Sequence, residues 1–170
     1  MKWIGISGSW RITNSKIKSD VRRIVIEIIN RGDGLVTGGA LNVDSFALDE
    51  ALTLDPTARK IRVFLPVTLE KYAAHYRQRA QEGVITINQA EDLIELLSNL
   101  KKTNPEALIE NQLNTKVNQE TYYQRNAQII NFSDELMAFQ VNESAGTQDI
   151  IERAEKRGIP VRLYSYRLPT

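Results

Sequence analysis

The stretch from Leu35 to Leu52, LVTGGALNVDSFALDEAL, limits what this chain can fold into more than any other. An apolar run enters Gly38 and Gly39, and an amphipathic helical pattern begins four residues later, at Val43. A strand that gives way to a helix through paired glycines is a βα turn. Glycine at such a junction serves either a tight turn or a backbone lying close to a ligand, above all a phosphate at a helix N-terminus.

The same alternation recurs along the chain. KWIGIS reads as a short buried strand ending at Gly8. It is followed by SKIKSDVRRIVIEIINRG, in which Ile17, Val21, Ile24, Val25, Ile28 and Ile29 share one helical face. Asn14 or Ser15 can cap this helix and Gly32 suits its end. GLVTGG is a second strand. Asn42 is the expected N-cap of VDSFALDEALTL, which puts Asp44 in the first turn, where a carboxylate complements the helix dipole. KIRVFLP is a third strand, stopped by Pro66. From about residue 68 to 131 the chain is mostly helical and polar. LEKYAAHYRQRAQEG, NQAEDLIELLSNLKK and QETYYQRNAQIINFS read as helices, and TNPEALIENQLNTKVNQ as an exposed connection with room for a short helix. DELMAFQV is an apolar strand, GTQDIIERAEKRG a helix with Ile150, Ile151 and Ala154 inward, and PVRLYSY a closing strand. There is no internal repeat and no dividing linker. The expectation is an α/β protein, a single Rossmann-like three-layer domain over residues 1–170 with a mostly parallel sheet and helices on both faces.

Composition removes several function classes. The formal net charge of +1 gives no global basic field, so a nucleic-acid site would have to be local. With no cysteine there are no disulfides, thiolate metal sites or cysteine nucleophiles, which fits a reducing compartment. The single histidine, His75, rules out multi-histidine metal clusters and has no motif around it that would make a catalytic triad. No metal, no cofactor and no catalytic residue is expected. MKWIGISGSW is too short an apolar run for a signal peptide, and nothing approaches the ~18 apolar residues of a membrane span. The expected location is the cytoplasm, with no membrane partner.

Three strand ends carry small or polar residues directly before a helix: SGSWRITNS, TGGALNVD and NESAGTQD. Ligands of open parallel sheets bind in the crevice outside the carboxyl ends of the strands. Three such loops at one edge would offer backbone N–H groups and the hydroxyls of Ser7, Ser9, Thr37, Ser144 and Thr147. Arg11 lies in the first loop and Arg125 in YYQRNAQII, and a guanidinium can hold a phosphate through two parallel hydrogen bonds. The convergence predicts a shared anion site.

In order and spacing, LVTGGALNVDSFALDEAL, IRVFLPVTLEKYAAHYRQRA and YYQRNAQIINFSDELMAFQVNESAGTQDIIERA resemble the Rossmann-like domain of the DprA (DNA-processing protein A) family. That family belongs to the superfamily joining DprA with the LOG proteins (SLOG). The family pattern falls here on Thr37-Gly38, Ala40, Val43-Asp44, Arg125-Asn126 and Ser144-Ala145-Gly146-Thr147, with Arg11 where DprA proteins often carry Ser-Arg. Leu41 and Asn42 stand where the family commonly has arginine and glycine, and Leu48 where it has histidine. The segment 88–118 is longer than expected and reads as a variable helical or loop insertion. The LOG motif matches at Gly146-Thr147, but its glutamate position is Ile150. Asp149 is one residue early, about 100° around a helix, and Glu152 two residues late. The phosphate-holding half of a LOG site is therefore present and its acid half missing.

The resemblance implies a nucleotide- or nucleic-acid-binding module that is not an enzyme. The alternative is a LOG-type nucleoside 5′-monophosphate phosphoribohydrolase. The implied ligand is a nucleotide, a nucleotide-derived small molecule or single-stranded DNA. It would be held by Gly8, Ser9, Arg11, Gly38, Gly39, Asp44, Arg125, Asn126, Ser144, Gly146 and Thr147. A homodimer is also implied, with the polar helices at 68–131 as a contact surface.

Overall fold

Short apolar strands alternate with amphipathic helices from one end of the chain to the other, and the computed structural model describes all 170 residues. The strands are β1 (Trp3–Gly8), β2 (Gly34–Thr37), β3 (Ile61–Phe64), β4 (Leu108–Ile109), β5 (Glu135–Val141) and β6 (Val161–Tyr166). They form one sheet in the order β4-β3-β2-β1-β5-β6, and every pair in it is parallel. The helices are α1 (Ser15–Asn30), α2 (Val43–Leu54), α3 (Leu69–Gln81), α4 (Ile87–Thr103), α5 (Gln119–Phe132) and α6 (Ala145–Arg157). Parallel neighbours need crossover connections, and these helices supply them.

Side-chain alternation along the strands divides the interior in two. Ile4, Ile6, Leu35, Ile61, Val63, Met137 and Phe139 face the larger core, which α1 to α4 cover. Val36, Phe64, Leu136 and Ala138 face the smaller core beneath α5 and α6. The result is a single α/β domain of three layers. The chain builds outward from β1 to β4 and then crosses back to place β5 on the other side of β1. That reversal sets a switch point between β1 and β5, where the loops leaving the strands diverge to opposite faces.

Local signals account for most boundaries. The Asn14 side chain accepts from the Ile17 N–H at 2.9 Å and starts α1. Thr86 with Gln89 and Asn118 with Thr121 form reciprocal capping boxes on α4 and α5. Gly158, with φ of 80°, ends α6. Asn42 departs from expectation. Its φ is 65° and its side chain makes no bond to α2; instead it donates to the carbonyl of Trp10. The expected connection at 103–119 is also more ordered than its composition suggests. After a 3-10 turn at Pro105–Ala107, Leu108 and Ile109 pair with Val63 and Phe64 as β4. Within 88–118, α4 buries Ala90, Leu93, Leu97 and Leu100 in the larger core.

Leu97 is fully buried, whereas Leu113 is 90% exposed. Leu97→Ala should lower unfolding free energy by about 2–5 kcal/mol, and Leu113→Ala should change it by no more than about 0.5 kcal/mol. Urea denaturation of both variants checks this, and equal effects would contradict the packing described.

Candidate functional site

Because β2, β1 and β5 are adjacent and parallel, the loops that follow them emerge at the same edge of the sheet. The β1–α1 loop begins at Gly8. A Cβ there would lie 2.6 Å from the Phe139 carbonyl oxygen and 2.7 Å from the Val43 side chain, so only glycine fits where β1, β5 and α2 meet. Ser9 is buried and stitches the same elements together. Its N–H donates to Phe139 at 3.3 Å, its carbonyl accepts from Val43 N–H at 3.5 Å, and its Oγ accepts from Ile12 N–H at 3.4 Å. The chain then turns outward. Trp10 and Arg11 are exposed, and the Arg11 guanidinium lies 5.0 Å from the centre of the indole.

The β2–α2 loop is held from several sides. The Gly38 carbonyl accepts from Arg125 Nη1 at 2.9 Å, and the guanidinium occupies the space a side chain at position 38 would need, with Cζ 2.7 Å from the ideal Cβ. Gly39 has φ of 69°, where other residues are strained, and a Cβ on it would meet Leu65 at 2.9 Å and Val63 at 3.0 Å. Its carbonyl accepts from the Tyr72 hydroxyl at 3.0 Å. The Ala40 N–H donates to Asp44 at 3.1 Å. The close approach that these two glycines permit is thus made by the protein's own side chains.

Arg125 is 7% exposed, with its guanidinium 4.9 Å over the Tyr122 ring. Its Nε and the Asp44 Oδ1 are buried without a hydrogen-bond partner. Burial pushes the Asp44 carboxyl above the usual range, opposed by the Arg125 charge and by the Ala40 N–H. Burial likewise raises the Tyr72 and Tyr76 phenols, whose oxygens lie 3.3 Å apart.

In the β5–α6 loop, Asn142 and Glu143 are consecutive left-handed residues, with φ of 49° and 57°. They are the centre of a turn closed by Ser144 N–H donating to the Val141 carbonyl at 3.1 Å. The Asn142 side chain makes two bonds to Leu168, donating to its carbonyl at 2.8 Å and accepting from its N–H at 2.9 Å. Ser144 does not cap α6; its hydroxyl bonds Thr147 Oγ1 at 3.0 Å. The first turn of α6 therefore carries no side-chain cap, and around Gly146 there is open space. Asn126 Nδ2 reaches the Gly146 carbonyl at 3.4 Å and Asp149 at 3.0 Å.

The sequence-predicted residues thus gather at one edge in two groups. Ser9, Gly38, Gly39, Asp44, Arg125, Asn126 and Thr147 are buried, with Gly8 partly so, while Arg11 and Gly146 are exposed and Ser144 is partly accessible. Sequence reasoning missed Trp10, Tyr72 and Asn142. Trp10 precedes Arg11 in the first loop, and a large aromatic between small polar residues is the signal that marks it. Nothing local marks Tyr72, which reaches Gly39 across 33 positions. No group of acidic, histidine or cysteine side chains could hold a metal ion, and no helix is long and apolar enough to cross a membrane.

Solved structures share this architecture. DNA processing protein A from Helicobacter pylori, described for its single-stranded DNA binding mode, matches with a TM-score of 0.70 at 19% identity, over 95% of this chain and 64% of its own. The fold is DprA-like. DprA from Streptococcus pneumoniae matches with a TM-score of 0.51 at 11% identity, over 96% of this chain and 59% of its own. The molybdenum cofactor carrier protein of Chlamydomonas reinhardtii matches with a TM-score of 0.55 at 18% identity, over 95% and 75%. This chain spans less than two thirds of the length of either DprA chain. No protein-family model matches the chain, and no curated protein matches it significantly.

Within this DprA-like fold the Asp44 carboxyl has a pH signature. A folded-state pKa above the unfolded value of 3.8 gives a stabilising contribution that is complete below that value and lost as pH rises through the folded-state pKa. Asp44→Asn removes the titration. The stability of wild type relative to Asp44→Asn should therefore fall as pH rises above 3.8, measured by urea denaturation across a pH series. A pH-independent difference would refute the assignment. Arg125→Ala should destabilise by on the order of 3 kcal/mol, because it strips the Gly38 carbonyl and leaves Asp44 without the nearby positive charge.

Proposed function

We propose that this protein is a nucleotide- or nucleic-acid-binding module of the DprA/LOG type, holding its ligand at the carboxyl edge of β2, β1 and β5 without catalysing a reaction on it. The observation that carries this reading is the uncapped start of α6 beside the β1–α1 loop at the switch point. A helix start combines free N–H groups with the positive end of the helix dipole, which suits a phosphate. The likeness to the H. pylori DprA, a protein described as binding single-stranded DNA, supports the same reading.

The ligand meets the exposed group: Arg11 by charge, Ser144 by its hydroxyl and Gly146 by unobstructed backbone. Arg125 acts at one remove, by fixing the Gly38 carbonyl and with it the loop. Gly8, Ser9, Gly39, Asp44, Asn126 and Thr147 set the positions of the three loops. A homodimer is the expected assembly by resemblance to DprA-like and LOG-like domains, and light scattering tests it.

A LOG-type hydrolase is the competing reading. Ile150, at the motif's glutamate position, is fully buried in the smaller core. The neighbouring acid Asp149 is held by Arg153 at 2.8 Å and by Asn126 at 3.0 Å. Neither position can present a free carboxylate to a ribose. The protein should release no adenine from AMP by chromatography. Ile150→Glu should destabilise the fold, since it buries a carboxylate, and should not create the activity. Base release by wild type that Arg11→Ala or Gly146→Val abolishes would overturn the non-catalytic reading.

Binding itself is tested by titrating wild type with dTMP and with oligo-dT at several salt concentrations. If a strand binds, each neutralised phosphate contributes roughly −0.7 to the slope of log K against log salt. Arg11→Ala should make the slope shallower by about that amount and weaken binding for all sequences alike. Failure to bind either ligand at ~50 mM salt, where this electrostatic attraction is strong, would remove the proposal.

A further inference from the structure

We propose that the β1–α1 loop is a nucleobase-stacking platform, on which the exposed Trp10 ring takes one unpaired base of a single strand while Arg11 and Lys18 meet its phosphates. This rests on the reading of the sheet edge as a nucleotide- or nucleic-acid-binding site and adds a contact that distinguishes a strand from a mononucleotide.

Trp10 is 39% exposed, yet its backbone is fixed. Ser9 before it is tied to β5 and α2, and the Trp10 carbonyl accepts from the Asn42 side chain. The Asn42 amide is in turn fixed by a left-handed backbone at the start of α2. The indole is thus a partly exposed ring on a braced loop beside the switch point, with the Arg11 guanidinium over one face and the other face left for a base. Base–aromatic stacking needs such a face and tolerates any sequence, because every base has a π-surface.

Charge selects the partner. Three of the four cations on α1 have carboxylate partners: Lys16 with Asp20 at 3.1 Å, Arg22 with Asp49 at 3.5 Å, and Arg23 with Glu27 at 3.1 Å. Arg11 and Lys18 instead lie over aromatic rings, Arg11 at 5.0 Å over Trp10 and Lys18 at 5.2 Å over Phe46 on α2. Cation–aromatic contacts leave the charge available to an anion, which a carboxylate pair does not. Ser9 to Lys18 thus places one partly exposed ring and two cations without carboxylate partners along a single short path, the combination that tracks a backbone while stacking a base.

The experiment compares wild type, Trp10→Phe, Trp10→Ala and Lys18→Gln, each titrated with oligo-dT and with dTMP. Tryptophan fluorescence gives a second readout. The other tryptophan, Trp3, lies at the opposite end of β1 against Phe132, so a quench on binding reports Trp10. In wild type, oligo-dT should quench the emission. Trp10→Ala should weaken oligo-dT binding roughly ten-fold or more with an unchanged melting temperature, and Trp10→Phe should retain most of the affinity. Lys18→Gln should make the salt slope shallower by about 0.7. If Trp10→Ala binds oligo-dT as wild type does, the platform is wrong while the edge reading stands. Binding of dTMP but not oligo-dT by wild type would likewise overturn the platform and leave the edge reading in place. If wild type binds neither ligand, both fall. If Trp10→Ala instead turns a dimer into a monomer by size exclusion and leaves oligo-dT binding intact, the ring serves a protein contact and the platform is overturned.

Discussion

The guanidinium of Arg125 lies in the space that a side chain at position 38 would fill, and its hydrogen bond to the Gly38 carbonyl joins α5 on one face of the sheet to the loop entering α2 on the other. A buried arginine is tolerable only where its charge is answered. Here a backbone carbonyl, the Tyr122 ring and the field of the buried Asp44 carboxylate answer it. The guanidinium thereby ties the loop, α5 and the start of α2 to one another. The edge of the sheet owes its shape to this arrangement.

Much of the fold is legible in the sequence because it depends on local periodicity. Ile17, Val21, Ile24 and Ile28 mark α1 from spacing alone, and the apolar runs before Gly8, Gly38 and Asn142 mark three strands. β4 escapes because it has two residues, too few for any period, and lies within a polar segment where pairing with β3 is the only reason to extend. Asn42 misleads for a different reason. Its residue type suits an N-cap, but the carbonyl of Trp10, 32 positions away in sequence, is within reach and takes its amide. The candidate site divides in the same way. The glycines, Arg125 and the three loops can be picked out one by one, whereas the bond from Arg125 to Gly38 spans 87 positions and exists only after the sheet has formed. A glycine read as room for a ligand is filled by an arginine for that reason.

The division between scaffold and open surface also reconciles the proposed anion site with a net charge of only +1. Its 22 lysines and arginines face 21 acidic residues, and ten of the basic side chains pair with carboxylates directly, so little long-range field remains. At the carboxyl edge the balance is local: Arg11 and Lys18 without carboxylate partners on the β1–α1 side, and backbone donors at the head of α6. A site of this kind draws on short-range geometry more than on long-range steering.

The bonds between Asn142 and Leu168 have a mechanical consequence. The amide of Asn142 behaves as one more rung of the β5–β6 ladder, made by a side chain instead of a backbone. It fastens the last turn before α6 to the segment leaving β6, two residues short of Thr170. Through these two hydrogen bonds the segment is coupled to the left-handed pair Asn142–Glu143, which leads directly into α6. Whatever moves the segment after β6 is felt at the candidate site's edge of the sheet.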